Sequence, residues 1–160
     1  MRMLLFNRLL FLFLILAAGL AVHETVMAGN LLVYNNNDSG AGSLRQAIAN
    51  NAALGGGNNI VFSNGIASPI TLGSELLIAN DVSIVGPGDK VLTVSGNGAV
   101  SVFHVTSIFT GSLTVSISGL TIADGFTAAF GGGIFQESGS LALIGCTIVS
   151  NTSAVGGGIE

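Results

Sequence analysis

Gly119-Leu120-Thr121-Ile122, followed by Gly131-Gly132-Gly133-Ile134, returns as Gly145-Cys146-Thr147-Ile148, followed by Gly156-Gly157-Gly158-Ile159. The first half returns after 26 residues and the second after 25, a period typical of solenoids and arrays. Just upstream, alternating residues superpose under the same offset: Val115 on Leu141, Ile117 on Leu143, Leu120 on Cys146 and Ile122 on Ile148, all apolar. Ser116, Ser118, Thr121, Ala142 and Thr147 fall between them and are expected to point outward, because successive strand residues face opposite sides.

A repeat of about 26 residues carrying several short strands is what a parallel β-helix requires. Equivalent strands of successive coils then pair in register about 4.8 Å apart, and like apolar residues stack into ladders inside the tube. An antiparallel sandwich also uses many short strands, but nothing in it needs a fixed 25 to 26 residue return. The glycine triplets are expected at sharp corners. Asn97 and Asn151, each at a strand end, suit left-handed turn positions.

Working outward towards the N-terminus, strands are predicted at 31–34, 59–62, 70–72, 76–78, 82–85, 91–95, 102–105, 113–118, 120–122, 134–136, 141–144 and 146–148. One helix interrupts them. Ser43 and Gln46 have capping-box spacing, in which the hydroxyl accepts from the amide three residues on and the glutamine reaches back. Leu44, Ala47, Ile48 and Ala52 recur at helical spacing, and Gly55-Gly56-Gly57 ends the run. A β-helix exposes a sheet edge and an apolar interior at its end, which invites aggregation. The helix over 43–54 is therefore expected to lie across the N-terminal opening as a cap.

Residues 1–28 read as a signal peptide. Arg2 and Arg8 precede the apolar run Leu9 to Val22, and Val26-Met27-Ala28 places small residues where cleavage before Gly29 is expected. The run is too short to span a bilayer as a helix, which takes about 20 residues. The expected organisation is thus a signal peptide at 1–28, an N-terminal cap at 29–69 (strand, helix 43–54, strand), and coils over 70–160. That last stretch has room for about three and a half coils. No closing cap follows, so the sequence is expected to be the front piece of a longer protein, or its open C-terminal coil to associate edge to edge with another chain.

Charged residues make up 8% of the chain. After residue 28 only Arg45 and Lys90 are basic, against seven acidic side chains, which argues against nucleic acid as a partner. Cys146 is the single cysteine, so no internal disulfide can form. Its repeat mate is Leu120, which marks a core position, since a buried free cysteine behaves as a small hydrophobe.

No catalytic, cofactor-binding or metal-ligating residue is assigned, and no cofactor is expected. Asp81 and Asp89 flank a turn and read as turn caps. Asp124 and its repeat mate Ser150 sit at strand ends. His104, between Phe103 and Val105, reads as an outward strand residue, Arg45 as a helix-surface residue and Glu137 as a solvated charge in a loop. Thr114, Ser116 and Ser118 form a hydroxyl row that the next copy does not repeat, so it reads as a solvated face.

Asn36-Asn37-Asp38-Ser39-Gly40-Ala41-Gly42-Ser43-Leu44-Arg45-Gln46-Ala47-Ile48, then Asn59-Ile60-Val61-Phe62 and Val82-Ser83-Ile84-Val85-Gly86-Pro87-Gly88, resemble the start of bacterial right-handed parallel β-helix surface proteins. The CSLREA-type exported repeat proteins are the resembling group, and the polymorphic outer membrane proteins are more distant. Gly42 and Gln46 stand where the CSLREA motif has cysteine and glutamate. The resemblance implies an all-β fold, a right-handed parallel β-helix with an N-terminal capping helix, in a secreted protein of the cell surface or outer membrane. The expected function is a non-catalytic scaffold or adhesin-like surface. Extracellular carbohydrate or host and cell-surface components are the expected partners, with no transmembrane segment in the mature chain. The alternative is the N-terminal part of a polysaccharide lyase or glycoside hydrolase of the pectate-lyase-like type. Such enzymes place clustered carboxylates or a calcium site on one outer face, and this sequence has no Asp-Asp pair, no Asp-x-Asp and no Gly-His-Gly.

Overall fold

In a computed structural model the chain is described over residues 28–107 and 112–160. Residues 1–27, where the export signal is expected, lie outside the described residues. The strands are β1 (Asn30–Val33), β2 (Asn58–Phe62), β3 (Ile70–Thr71), β4 (Leu76–Ile78), β5 (Val82–Val85) and β6 (Thr93–Ser95). They continue with β7 (Phe103–Val105), β8 (Thr114–Ser118), β9 (Thr121–Ala123), β10 (Ile134–Gln136), β11 (Ser140–Ile144) and β12 (Thr147–Val149). One helix, α1 (Leu44–Ala53), lies between β1 and β2.

The strands form three parallel sheets that wrap into a β-helix. The first holds β1-β2-β5-β8-β11, the second β3-β6-β9-β12 and the third β4-β7-β10. Each coil contributes one strand per sheet, so about four coils stack from Asn58 onward. The repeat alignment holds residue by residue: Leu141 pairs with Val115, Leu143 with Ile117 and Ile148 with Ile122. Ladders of like residues line the interior. Ile60, Ile84, Ile117 and Leu143 run through the first sheet, Ile70, Val94, Ile122 and Ile148 through the second. Leu76, Phe103 and Ile134 run through the third. All these ladder residues up to Ile134 are buried, while Leu143 and Ile148 in the last described coil are only partly so. Cys146 packs against the same core and is half-buried, as expected of the rung that follows Leu120.

Helix α1 covers the N-terminal mouth. Leu44, Ala47, Ile48 and Asn51 are its buried residues, and it packs on β1, β2 and β4. Ser43 caps it by accepting from the Gln46 amide at 3.1 Å. The reciprocal half of the capping box is absent: Gln46 turns along the helix to donate to Asn50 Oδ1 at 2.8 Å. Beneath the helix, Asn58 stands at the head of the ladder continued by Val82 and Val115. An asparagine fits there because Asn51 Oδ1 accepts from its side chain at 3.0 Å and its amide at 3.1 Å, while Asn51 donates to the Asp81 carbonyl at 3.0 Å. Buried amides are tolerated when their hydrogen bonds are made.

The corner residues need one correction. Asn97 takes the left-handed conformation (φ 56°), but Asn151 does not; Ser150 does (φ 58°), matching Asp124 (φ 52°) one coil earlier. Asn151 turns its side chain inward instead, accepting from the Gly125 amide at 2.7 Å and donating to the Ile122 carbonyl at 3.0 Å. The glycine triplets stack on each other. A Cβ at Gly132 would strike the carbonyls of Thr152 and Gly157, and one at Gly133 the carbonyl of Gly158. Only a residue without a side chain lets those backbones approach so closely.

Candidate functional site

The outer wall of the third sheet brings together polar side chains that the sequence leaves scattered. Leu77, His104 and Phe135 pair in register across β4, β7 and β10. Their neighbours Leu76, Phe103 and Ile134 fill the core, so alternation turns these three outward. Glu75 comes one residue before β4 and Glu137 one residue after β10. Each reaches the imidazole from a different coil: His104 Nδ1 lies 3.3 Å from Glu75 Oε1, and Nε2 lies 3.2 Å from Glu137 Oε2. The ring leans on Phe135 with centroids 4.9 Å apart, and Phe135 stacks in turn on Phe130 at 5.7 Å.

A neutral imidazole has one N–H and can donate to only one of the two carboxylates, whereas the imidazolium donates to both. Hydrogen bonds from the Thr106 side chain and then from His104 hold the Glu137 carboxyl below its usual value, against an opposing effect of desolvation. Glu75 is positioned from behind. The Arg45 guanidinium donates to the carbonyls of Ser74 at 2.6 Å and Glu75 at 2.8 Å, and pairs with Asp38 at 2.6 Å. Arg45 is therefore not a free helix-surface residue. It ties the cap to the rim of the first coil.

The other residues singled out in the sequence stay apart from this face. Asp81 accepts from the Thr114 amide at 2.8 Å, and Asp89 from the Thr147 hydroxyl at 2.7 Å, so both acidic residues link coils as well as bounding a turn. Asp124 accepts from Ser95 Oγ at 3.1 Å. Glu137 is the exposed loop charge expected from the sequence, and in addition it bonds His104. The one signal for the site was positional: two glutamates flanking strands in the coils before and after a lone histidine.

Chemically, the arrangement offers hydrogen-bond acceptors beside a flat aromatic surface. The two carboxylates address opposite nitrogens of one ring rather than a common point where a reacting atom could sit. Among the described residues, no group of three His, Cys, Asp or Glu side chains is placed to hold a metal ion, and no helix is long and apolar enough to cross a membrane. No family model, curated protein or solved structure matches the chain.

Proposed function

We propose that the chain is an exported β-helix segment of the cell surface or extracellular space, a scaffold with an adhesin-like outer wall and no catalytic activity of its own. The observation that carries this reading is the Glu75–His104–Glu137 cluster on the outside of the third sheet. It presents polar and aromatic groups to solvent on the outside of stacked coils. The apolar run before residue 23 and the small residues at Val26 to Ala28 support export. A lyase or hydrolase of acidic polysaccharides would need basic residues or a cation to receive its substrate. Here Glu75 and Glu137 address opposite nitrogens of one imidazole instead of a common cation or substrate position.

The test is to express the whole chain with a C-terminal epitope in a bacterial host, fractionate the cells and sequence the N-terminus of the exported product. The reading predicts recovery outside the cytoplasm with Gly29 as the first residue. Full-length protein retained in the cytoplasm would overturn export. Unsaturated product from polygalacturonate with calcium would overturn the non-catalytic assignment.

A further inference from the structure

Two pairings of a carboxylate with a phenyl ring flank His104. On one side Glu75 lines a shallow groove of about 350 Å³ together with Ser101 and Phe126. On the other, Glu137 shares His104 with Phe135, on which Phe130 stacks. Glu75 and Glu137 are 47% and 55% exposed, and Phe126 and Phe130 are also about half exposed. Leu77, likewise half exposed, lies beside His104. Apart from His104, which lies within hydrogen-bonding distance of both carboxylates, no basic side chain among the described residues pairs with Glu75 or Glu137. Arg45 spends its guanidinium on Asp38 and on the Ser74 and Glu75 carbonyls, and the described residues hold only one other basic side chain, Lys90.

An aromatic face attracts a cation through its ring quadrupole, and a neighbouring carboxylate accepts from it in charge-assisted hydrogen bonds. A guanidinium satisfies both demands at once, because it is planar, stacks on rings and presents a fork of donors. We propose that the outer face of the third sheet docks a basic segment of a partner polypeptide. Its arginine or lysine side chains lie against Phe126 and Phe130 and pair with Glu75 and Glu137. The two glutamates belong to coils two steps apart, about 10 Å along the axis, a span that two long basic side chains a few residues apart can bridge. Acidic polymers are repelled by the same charges. The proposal rests on the reading of the chain as an adhesive surface and names the partner chemistry of that surface.

The probe is a fluorescein-labelled hexapeptide of alternating arginine and glycine, titrated against the purified chain by fluorescence anisotropy. A glutamate–glycine hexapeptide, a neutral oligosaccharide and an oligogalacturonate are run beside it. The arginine peptide is expected to bind, more weakly as salt rises. The double variant E75Q/E137Q is expected to bind it about tenfold more weakly, and Phe130→Ala about threefold more weakly. Asp89→Asn, in the loop between β5 and β6 apart from this face, should leave binding unchanged. Gln can keep a hydrogen bond to His104, and an unchanged melting temperature verifies that the double variant is folded. Equal binding by every variant would reduce the effect to general charge attraction and overturn the proposal. So would no binding, or preference for either sugar. Because the assay uses purified protein, its failure leaves the export reading to stand or fall by fractionation.

Discussion

Thr147 donates to Asp89 at 2.7 Å although 58 positions separate them in the chain. Asp89 sits in the loop between β5 and β6 of the second coil, and Thr147 opens β12 of the fourth. Thr121 of the intervening coil donates to the carbonyl of the same aspartate. One loop thus leans over a neighbouring coil to the coil beyond. Asp89→Ala should lower stability by about 0.5–1.5 kcal/mol, the net worth of such a hydrogen bond, whereas Asp89→Asn keeps an acceptor and should lose less. Urea denaturation decides it, through a shift in midpoint at constant slope.

The interior ladders predict a gradient along the axis. Ile84 and Ile117 are fully buried between rungs on both sides, so Ile84→Ala or Ile117→Ala should cost about 2–5 kcal/mol. Leu143 is the same rung in the last described coil and is only partly buried. Leu143→Ala should therefore cost clearly less than Ile117→Ala in the same denaturation series.

At the cap, Ser43 is fully buried and holds the Gln46 amide, while its own hydroxyl donates to the Gly40 carbonyl at 2.8 Å. Ser43→Ala should destabilise by about 1–2 kcal/mol. Arg45→Ala strands the carbonyls of Ser74 and Glu75 at the rim of the first coil and breaks the pair with Asp38. Amide exchange should accelerate in α1 and β4 before it does in β8 or β9. Uniform acceleration would contradict the role of Arg45 as a tie between cap and coil.

Glu137 gives the fold a dependence on acid. Its carboxyl is held below the ordinary value of 4.5 by Thr106 and His104. A carboxylate whose folded pKa is depressed contributes stability above its unfolded pKa and loses it as pH falls through the folded one. The melting temperature of the native chain should fall as pH drops below 4.5. In Glu137→Gln that part of the decline should be shallower, with the two curves closing at the acid end. Parallel curves would mean that the carboxylate contributes nothing to acid sensitivity.

The solenoid was legible where the coil return is regular. In the first sheet the return is 26 residues from Val115 to Leu141, but 33 from Val82 to Val115 and 24 from Asn58 to Val82. Loops of unequal length hide the earlier repeats, although the strands themselves show through as short apolar alternations. The cap helix was legible from Ser43 and the spacing of Leu44, Ala47 and Ile48. The turn of Asn151 into the tube was not, because asparagine suits a left-handed corner and an inward hydrogen bond equally well. The cluster around His104 was hidden for the same reason as the early coils. Glu75 lies 29 residues before the histidine and Glu137 33 after it, and without the register of three coils neither separation means anything.

That register is tested most directly by disulfide trapping in a Cys146→Ser background. Ser83 pairs with Ser116, and Ser116 with Ala142, on the first sheet. Parallel neighbours about 4.8 Å apart fall within the Cα separation a disulfide accepts. The double variants S83C/S116C and S116C/A142C should each form an intramolecular disulfide under mild oxidation, while S83C/A142C, two coils apart, should not. Failure of both neighbouring pairs to cross-link, or efficient cross-linking of the distant pair, would contradict the stacked coils and with them the face that brings Glu75, His104 and Glu137 together.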